Sequence, residues 1–266
     1  MQALSTVNKE EFSSIRFVLT DMDETLTYRG RLAATTYSAL EALQAAGVRV
    51  IPVTAAPAGW CDQMARMWPV DGVIGENGGL FFRRAENGHG LVRQFWHDDL
   101  RRMESAMRLQ AIASRVQKAV PGAVLAEDQP FRMTSIAFSI TQDAATDERV
   151  VAALRNEGAD ITVNNLWILG WLGGYDKLSM ARRVLAEHYD INIDSGPGRD
   201  AVLYSGDSTN DAPMFGFFHH TVGVSTVVNY LDQIPVHPHW ITAGPGGAGF
   251  VEVAEAILHA RTNHNT

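Results

Sequence analysis

Asp21-Met22-Asp23-Glu24-Thr25-Leu26-Thr27 follows directly on the apolar run Phe17-Val18-Leu19, and this junction decides how the chain is read. A short extended run that stops at two carboxylates two residues apart predicts a buried strand, Phe17 to Thr20, feeding a reactive loop. Side chains alternate along a strand, but where the backbone curls at its end Asp21 and Asp23 can both face one small site. Two carboxylates there suit a hard divalent cation such as Mg²⁺. One of them also suits attack on phosphorus, the chemistry of aspartyl-phosphate enzymes. On its own the pair is more simply a solvated turn after a strand, so the rest of the chain has to decide.

Outward from this junction, strand and helix alternate. Ala34 to Ala46 is a predicted helix ended by Gly47, and Val48 to Val53 a near-continuous apolar strand. Ala58 to Met67 is a helix closed by Pro69, followed by a short strand at Val73-Ile74 and the turn Glu76-Asn77-Gly78-Gly79. Continuous apolar strands suit a parallel sheet covered on both faces, and the βαβα order predicts a doubly wound core.

After Leu80-Phe81-Phe82 the pattern changes. A helix-period run spans Leu100 to Val120, and Ile136, Phe138 and Ile140 alternate as in a half-buried antiparallel strand. A helix over Asp147 to Glu157 precedes extended runs at Ile161 to Val163 and Leu166 to Leu169. From Asp176 the first style returns, with helices at Lys177 to Tyr189, Ala212 to Phe217 and Val251 to His259 and strands at Ala201 to Tyr204 and Thr221 to Val224. The expected fold class is α/β, a doubly wound Rossmann-like parallel sheet. Residues 1–82 and 174–266 form its discontinuous core, and 83–173 an inserted α+β cap.

Composition narrows the function. The chain has 266 residues and a formal charge of -8, which disfavours a nonspecific grip on nucleic acid or anionic membrane. Cys61 is the only cysteine, so no intrachain disulfide forms, and Met1 to Arg16 has no apolar signal-like core. These features predict a cytoplasmic protein, monomer or homodimer, acting on a small partner.

Four segments place polar residues after predicted strands or at a helix start: Asp21/Asp23, Thr54 after Val53, Lys177, and Gly206-Asp207-Ser208-Thr209-Asn210-Asp211 after Tyr204. In an open α/β sheet the ligand crevice lies beyond the carboxyl ends of the strands, so these segments converge there. Together they supply a nucleophile, a hydroxyl donor, a cation and acidic metal ligands, the inventory of phosphoryl transfer. With Gly174-Tyr175-Asp176-Lys177 completing the third motif, the chain resembles the haloacid dehalogenase superfamily along essentially its whole length. Val73 to Leu80, including Glu76-Asn77-Gly78, and the insertion between the second and third motifs resemble the Cof-type branch with a C2B cap.

The resemblance implies that Asp21 attacks phosphorus and that Asp23 protonates the leaving alcohol and then activates water. It implies Mg²⁺ held by Asp21, the Asp23 carbonyl and Asp207, with Asp211 completing or orienting the site. Thr54 and Lys177 would face the phosphoryl oxygens, with Ser208 and Asn210 in support. True dehalogenases of the superfamily lack an aspartate at the position of Asp23 and P-type ATPases carry threonine, so Asp23 favours hydrolysis of a phosphate ester. Two departures stand out. Thr54-Ala55-Ala56-Pro57 stands where Cof-type relatives often read Thr-Gly-Arg, and Glu24 replaces a commoner glycine.

Further candidates lie outside these motifs. Asn77 is a substrate or phosphate contact or a plain Asn-Gly turn, and Arg132 a substrate-reaching cap residue or a surface strand residue. The pairs His219-His220 and His237-Pro238-His239 lack neighbouring ligands at metal spacing. Trp96, Trp167 and Trp171 read as core, and Gly244 to Gly249 as a turn before the last helix. The expectation is a Mg²⁺-dependent phosphatase of small phosphorylated metabolites, sugar or polyol phosphates foremost. A phosphomannomutase-like phosphomutase and a catalytically weak phosphometabolite-binding regulator are the alternatives.

Overall fold

The computed structural model describes residues 1–262 apart from 9, 87, 89 and 165. The chain begins with β1 (Gln2–Ala3), β2 (Phe17–Thr20) and a small hairpin of β3 (Thr27–Tyr28) and β4 (Arg31–Leu32). Helix α1 (Ala34–Ala45), β5 (Arg49–Pro52), α2 (Ala58–Met67) and β6 (Val73–Gly75) follow, then β7 (Leu80–Arg84) and β8 (Leu91–Phe95). The inserted unit holds α3 (Asp99–Ala119), β9 (Ser135–Ser139), α4 (Ala144–Asn156), β10 (Asp160–Val163) and β11 (Trp167–Trp171). The chain returns through α5 (Lys177–Tyr189), α6 (Gly196–Asp200), β12 (Val202–Gly206), α7 (Ala212–Phe217), β13 (His220–Gly223), β14 (Trp240–Ile241) and α8 (Gly246–Thr262).

The main sheet runs β1-β14-β13-β12-β2-β5, all neighbours parallel, and the bridge from Val53 to Ile74 extends it toward β6. Val18, Val50, Leu203 and Val222 point into one core with α1, α2 and α8, while Phe17, Leu19, Ile51 and Tyr204 point into a second with α5 and α7. Burial on both faces explains why these strands read as continuous apolar runs. Because Thr20 is paired with Ser205, Asp21 and Asp207 follow adjacent strand ends, one and two residues beyond that pair.

In the inserted unit the order is β10-β11-β9, antiparallel throughout. Ile136, Phe138 and Ile168 pack under α3 and α4. The opposite face differs from the half-exposed strand expected: Ala137, Trp167, Leu169 and Trp171 are buried against Ala55 and Tyr175 of the core. The alternation is real, but the face that alternation assigns to solvent is covered by the partner domain.

Two further readings need correction. The core does not end at residue 82: β7 runs to Arg84 and pairs with β8, whose Phe95 packs with Leu91 on the core cluster, so the cap begins near Asp98, which caps α3. Charged residues in that hairpin masked its strand character. The glycine run 246–249 is not a turn but the first turn of α8. A side chain at Gly247 would strike Thr36 and the Leu26 carbonyl, so glycine there lets α8 pack closely on α1.

Candidate active site

Beyond the last residue of β2, the Asp21 amide still donates to the Ser205 carbonyl at 2.8 Å, which fixes the carboxylate at the mouth of the sheet. Lys177 reaches it from the start of α5. Asp176 caps that helix, accepting from the Ser179 amide at 2.7 Å while its own amide donates to Ser179 Oγ at 2.8 Å, and this box aims the next residue inward. Lys177 Nζ lies 2.9 Å from Asp21 Oδ1 and 2.7 Å from Asp211 Oδ1, with 1 % of its surface exposed. Lys177 thus occupies one oxygen of Asp21 and leaves Oδ2 for chemistry.

Asp211 acts as an anchor. Its Oδ2 accepts from the Asp207 and Ser208 amides at 2.9 and 3.1 Å, and its Oδ1 accepts from Lys177 and from the Tyr204 hydroxyl. Gly206 is required beside it, since any side chain there would collide with the Asp211 carboxylate. Asp207 is less satisfied: Thr25 donates to Oδ1 at 3.2 Å, but the buried Oδ2 has no partner among the described residues.

The electrostatics follow from this crowding. Burial pushes Asp21 up to about 6, with Lys177 opposing and Asp211 adding to the rise. Burial, then the charge of Asp21, pushes Asp23 up to about 7. For Asp207, burial followed by repulsion from Asp21 and Asp211 gives about 9. Burial works against the Lys177 ammonium, yet the two flanking carboxylates hold its pKa above the ordinary lysine value. Asp21, Asp207 and Asp211 offer oxygens within 4.8 Å of one another. Three buried carboxylates against one lysine, with the Asp207 Oδ2 orphaned, fit a small hard divalent cation. Asp211 has both oxygens engaged, so Asp207 Oδ2, with Asp21 Oδ1 beside Lys177, is the better ligand set and leaves Asp21 Oδ2 for attack. The Asp23 carboxylate lies outside this group of three.

The remaining candidates divide. Thr54 is fully buried and follows β5 where that strand still meets the end of β2, the Val53 amide donating to the Thr20 carbonyl at 2.7 Å; Thr54 Oγ1 accepts from the Ala56 amide at 3.0 Å, which leaves its proton to donate. Asn77 lies in the connection of the β6–β7 hairpin, but buried: it is left-handed (φ 59°), its amide donates to the Thr54 carbonyl at 2.9 Å, and its Oδ1 has no partner among the described residues. Ser208 donates to Asn210 Oδ1 at 2.9 Å, so these two brace each other within the loop. Glu24, also left-handed at φ 58°, accepts the Arg29 amide at 2.8 Å and thereby supports the β3–β4 hairpin.

Arg132 is not a surface strand residue, and its donors are not free for a substrate. Its buried guanidinium donates to Asp128 at 3.1 and 2.9 Å and to the Ala55 carbonyl at 2.9 Å. Among the described residues the histidine pairs join no group of metal ligands; His219 meets Asp200 at 2.6 Å and His220 stacks on Trp240. Tyr204, Thr25 and Glu76 were not singled out from sequence. Tyr204 sits in an apolar strand and Glu76 in a turn, so only the three-dimensional arrangement reveals their partners.

No family model matches the chain, and no curated protein matches it. Solved structures do. A protein from Thermoplasma acidophilum superimposes with a TM-score of 0.70 at 20% identity, over 92% of this chain and 99% of its own. A haloacid dehalogenase-like hydrolase from Bacteroides thetaiotaomicron gives 0.68 at 16% identity, over 91% and 99%. A HAD/COF-like hydrolase from Plasmodium vivax gives 0.66 at 17% identity, over 96% and 100%. The fold is that of haloacid dehalogenase-like hydrolases. Both the parallel core and the inserted unit of this haloacid dehalogenase-like fold lie within the superimposed length. At these identities the likeness is one of fold.

Proposed function

We propose that the protein is a Mg²⁺-dependent phosphatase that hydrolyses small phosphorylated metabolites, sugar or polyol phosphates foremost, through an aspartyl-phosphate. The observation that carries this reading is Lys177 bridging Asp21 and Asp211 beside the orphaned Asp207 oxygen. A binding protein has no need of both an oriented carboxylate nucleophile and a second carboxylate held near neutrality. The names of the superimposed hydrolases support the same reaction class.

In the first step Asp21 Oδ2 forms a bond to phosphorus as the bond to the ester oxygen breaks, and Asp23 gives that oxygen its proton. In the second, Asp23 takes a proton from water, whose oxygen attacks phosphorus and releases Asp21 and inorganic phosphate. Lys177 and the Thr54 hydroxyl stabilise charge on the phosphoryl oxygens. Asp21 and Asp207 would hold the cation, which when bound neutralises phosphoryl charge. The buried cap face over the Thr54 loop favours small substrates over phosphoproteins, and it shields the site from bulk water. The lone cysteine and acidic balance favour a cytoplasmic setting.

Phosphate release from a panel of sugar, polyol and nucleotide monophosphates, with Mg²⁺ and with EDTA, tests the proposal. Asp21→Asn should abolish Mg²⁺-dependent release with the fold intact; retained turnover would sink the mechanism. An isomerised sugar phosphate without net release, dependent on a bisphosphate, would instead indicate the mutase. Binding without turnover across the panel would indicate a regulator.

A further inference from the structure

Glu76 is a fully buried carboxylate that the proposed reaction does not use. It belongs to the core yet serves the cap: Oε1 accepts from the Met133 amide at 2.8 Å, and Oε2 from the Thr134 amide, Thr134 Oγ1 and Ser135 Oγ at 2.8, 2.9 and 2.7 Å. A fifth donor, the Ala58 amide at 3.0 Å, ties the same carboxylate to the start of α2. Glu76 adopts φ 47°, a left-handed conformation that a residue other than glycine holds only when its surroundings fix it.

Arg132 makes the reciprocal contact. It belongs to the cap, where Asp128 grips the guanidinium from two sides and the Trp167 ring lies beneath it with its centroid 4.9 Å away. Its Nη1 crosses to the core carbonyl of Ala55 at 2.9 Å and touches Ser135 Oγ at 3.4 Å, the hydroxyl that donates to Glu76. Arg132, Ser135 and Glu76 therefore form one continuous buried network across the domain junction.

Between these two residues lies the loop that presents Thr54. Its Thr54 and Ala56 carbonyls accept from the core amides of Asn77 and Glu76 at 2.9 and 3.1 Å, whereas the carbonyl between them, on Ala55, accepts from the cap arginine. Ala55, Ala56 and Pro57 have no polar side chain, so the loop has no side chain of its own with which to brace Thr54.

We propose that Arg132 and Glu76 are positioning residues that clasp the cap onto the Ala55 peptide, so that the cap completes the orientation of the Thr54 hydroxyl that the Ala56 amide begins. Opening the cap strands the Glu76 carboxylate and frees the Ala55 peptide, which couples closure to assembly of the site. This proposal rests on the phosphatase reading for its kinetic test only.

Arg132→Gln is expected to lower kcat about tenfold or more with KM changed less than about twofold, equally for a small aryl phosphate and a polyol phosphate. In a Thr54→Val background the same substitution should cost less than about twofold further, because both changes remove one function. Arg132→Lys, which keeps a donor for Ala55, should recover part of the loss. Equal losses in both backgrounds would overturn the proposal, as would a loss confined to KM or dependent on the leaving group. Hydrogen exchange decides the clasp without activity: in Arg132→Gln and Glu76→Gln, peptides over 54–58 should exchange faster while β2 and β12 stay protected. Unchanged exchange there overturns the clasp. Absence of phosphatase activity in the wild type would overturn only the functional reading.

Discussion

Asp207 is the least compensated carboxyl group of the site. Asp21 has Lys177 and Asp211 has four donors, whereas among the described residues Asp207 has Thr25 on one oxygen and nothing on the other. Asparagine in its place keeps a neutral group of nearly the same shape where burial, Asp21 and Asp211 already favour the protonated carboxyl, and it removes a metal-binding oxygen. Asp207→Asn should therefore unfold at the same or a higher temperature than wild type in EDTA, yet lose the rise in Tm that Mg²⁺ gives the wild type. Thermal melts of both proteins in the two conditions test this; a full Mg²⁺-dependent rise in the variant would contradict the ligand assignment. The chemistry-bearing residues were legible in sequence because each sits at a strand end or helix start within a short polar motif. Tyr204 and Thr25 were not, since a tyrosine in an apolar strand and a threonine in a loop acquire their roles only when Asp211 and Asp207 arrive beside them. Arg132 drew notice for its charge, but sequence could not show that Asp128 and Ala55 take its donors.

At the level of elements, periodicity located α2, α5 and α7 to the residue, because Pro69, the Asp176 cap and the strand breaks around Phe218 mark their ends. It missed the β3–β4 hairpin, where left-handed Arg29 and Gly30 make a two-residue turn, and the β7–β8 hairpin, whose arginines hide an apolar inner edge. That hairpin carries weight. Phe82 on β7 is 1 % exposed, stands edge-on to Phe95 and lies under the Arg93 guanidinium, so it joins the hairpin to the main core. Phe82→Ala should cost about 3–5 kcal/mol of stability, the usual range for emptying a buried aromatic position. Urea denaturation measures it; a loss under about 1 kcal/mol would mean that the hairpin is dispensable to the core.

Across the whole molecule, buried titratable groups pull stability in opposite directions as pH changes. Asp23 and Asp207 have folded values above the ordinary 3.8, so the folded state binds protons more readily than the unfolded chain, and these groups favour folding as the pH falls. His220 works the other way. At the start of β13 it stacks on Trp240 and meets Phe12 edge-on, fastening the N-terminal segment that β1 also pairs to β14. Burial holds its pKa below the ordinary 6.5, with Glu11 at 3.4 Å and Asp200 opposing that shift and His219 and His239 reinforcing it. Its neutral form is thus the one that suits the fold: the full contribution is present above about 6.5 and is lost as the pH drops through the depressed folded value. Phenylalanine keeps a ring against Trp240 and removes the titration. Between pH 7.5 and 5.5, wild type should therefore lose stability relative to His220→Phe, whatever the slope the carboxylates impose on both. Urea unfolding at a series of pH values in EDTA, read as the difference between the two proteins, isolates that contribution; parallel curves would show that protonation of His220 does not oppose folding.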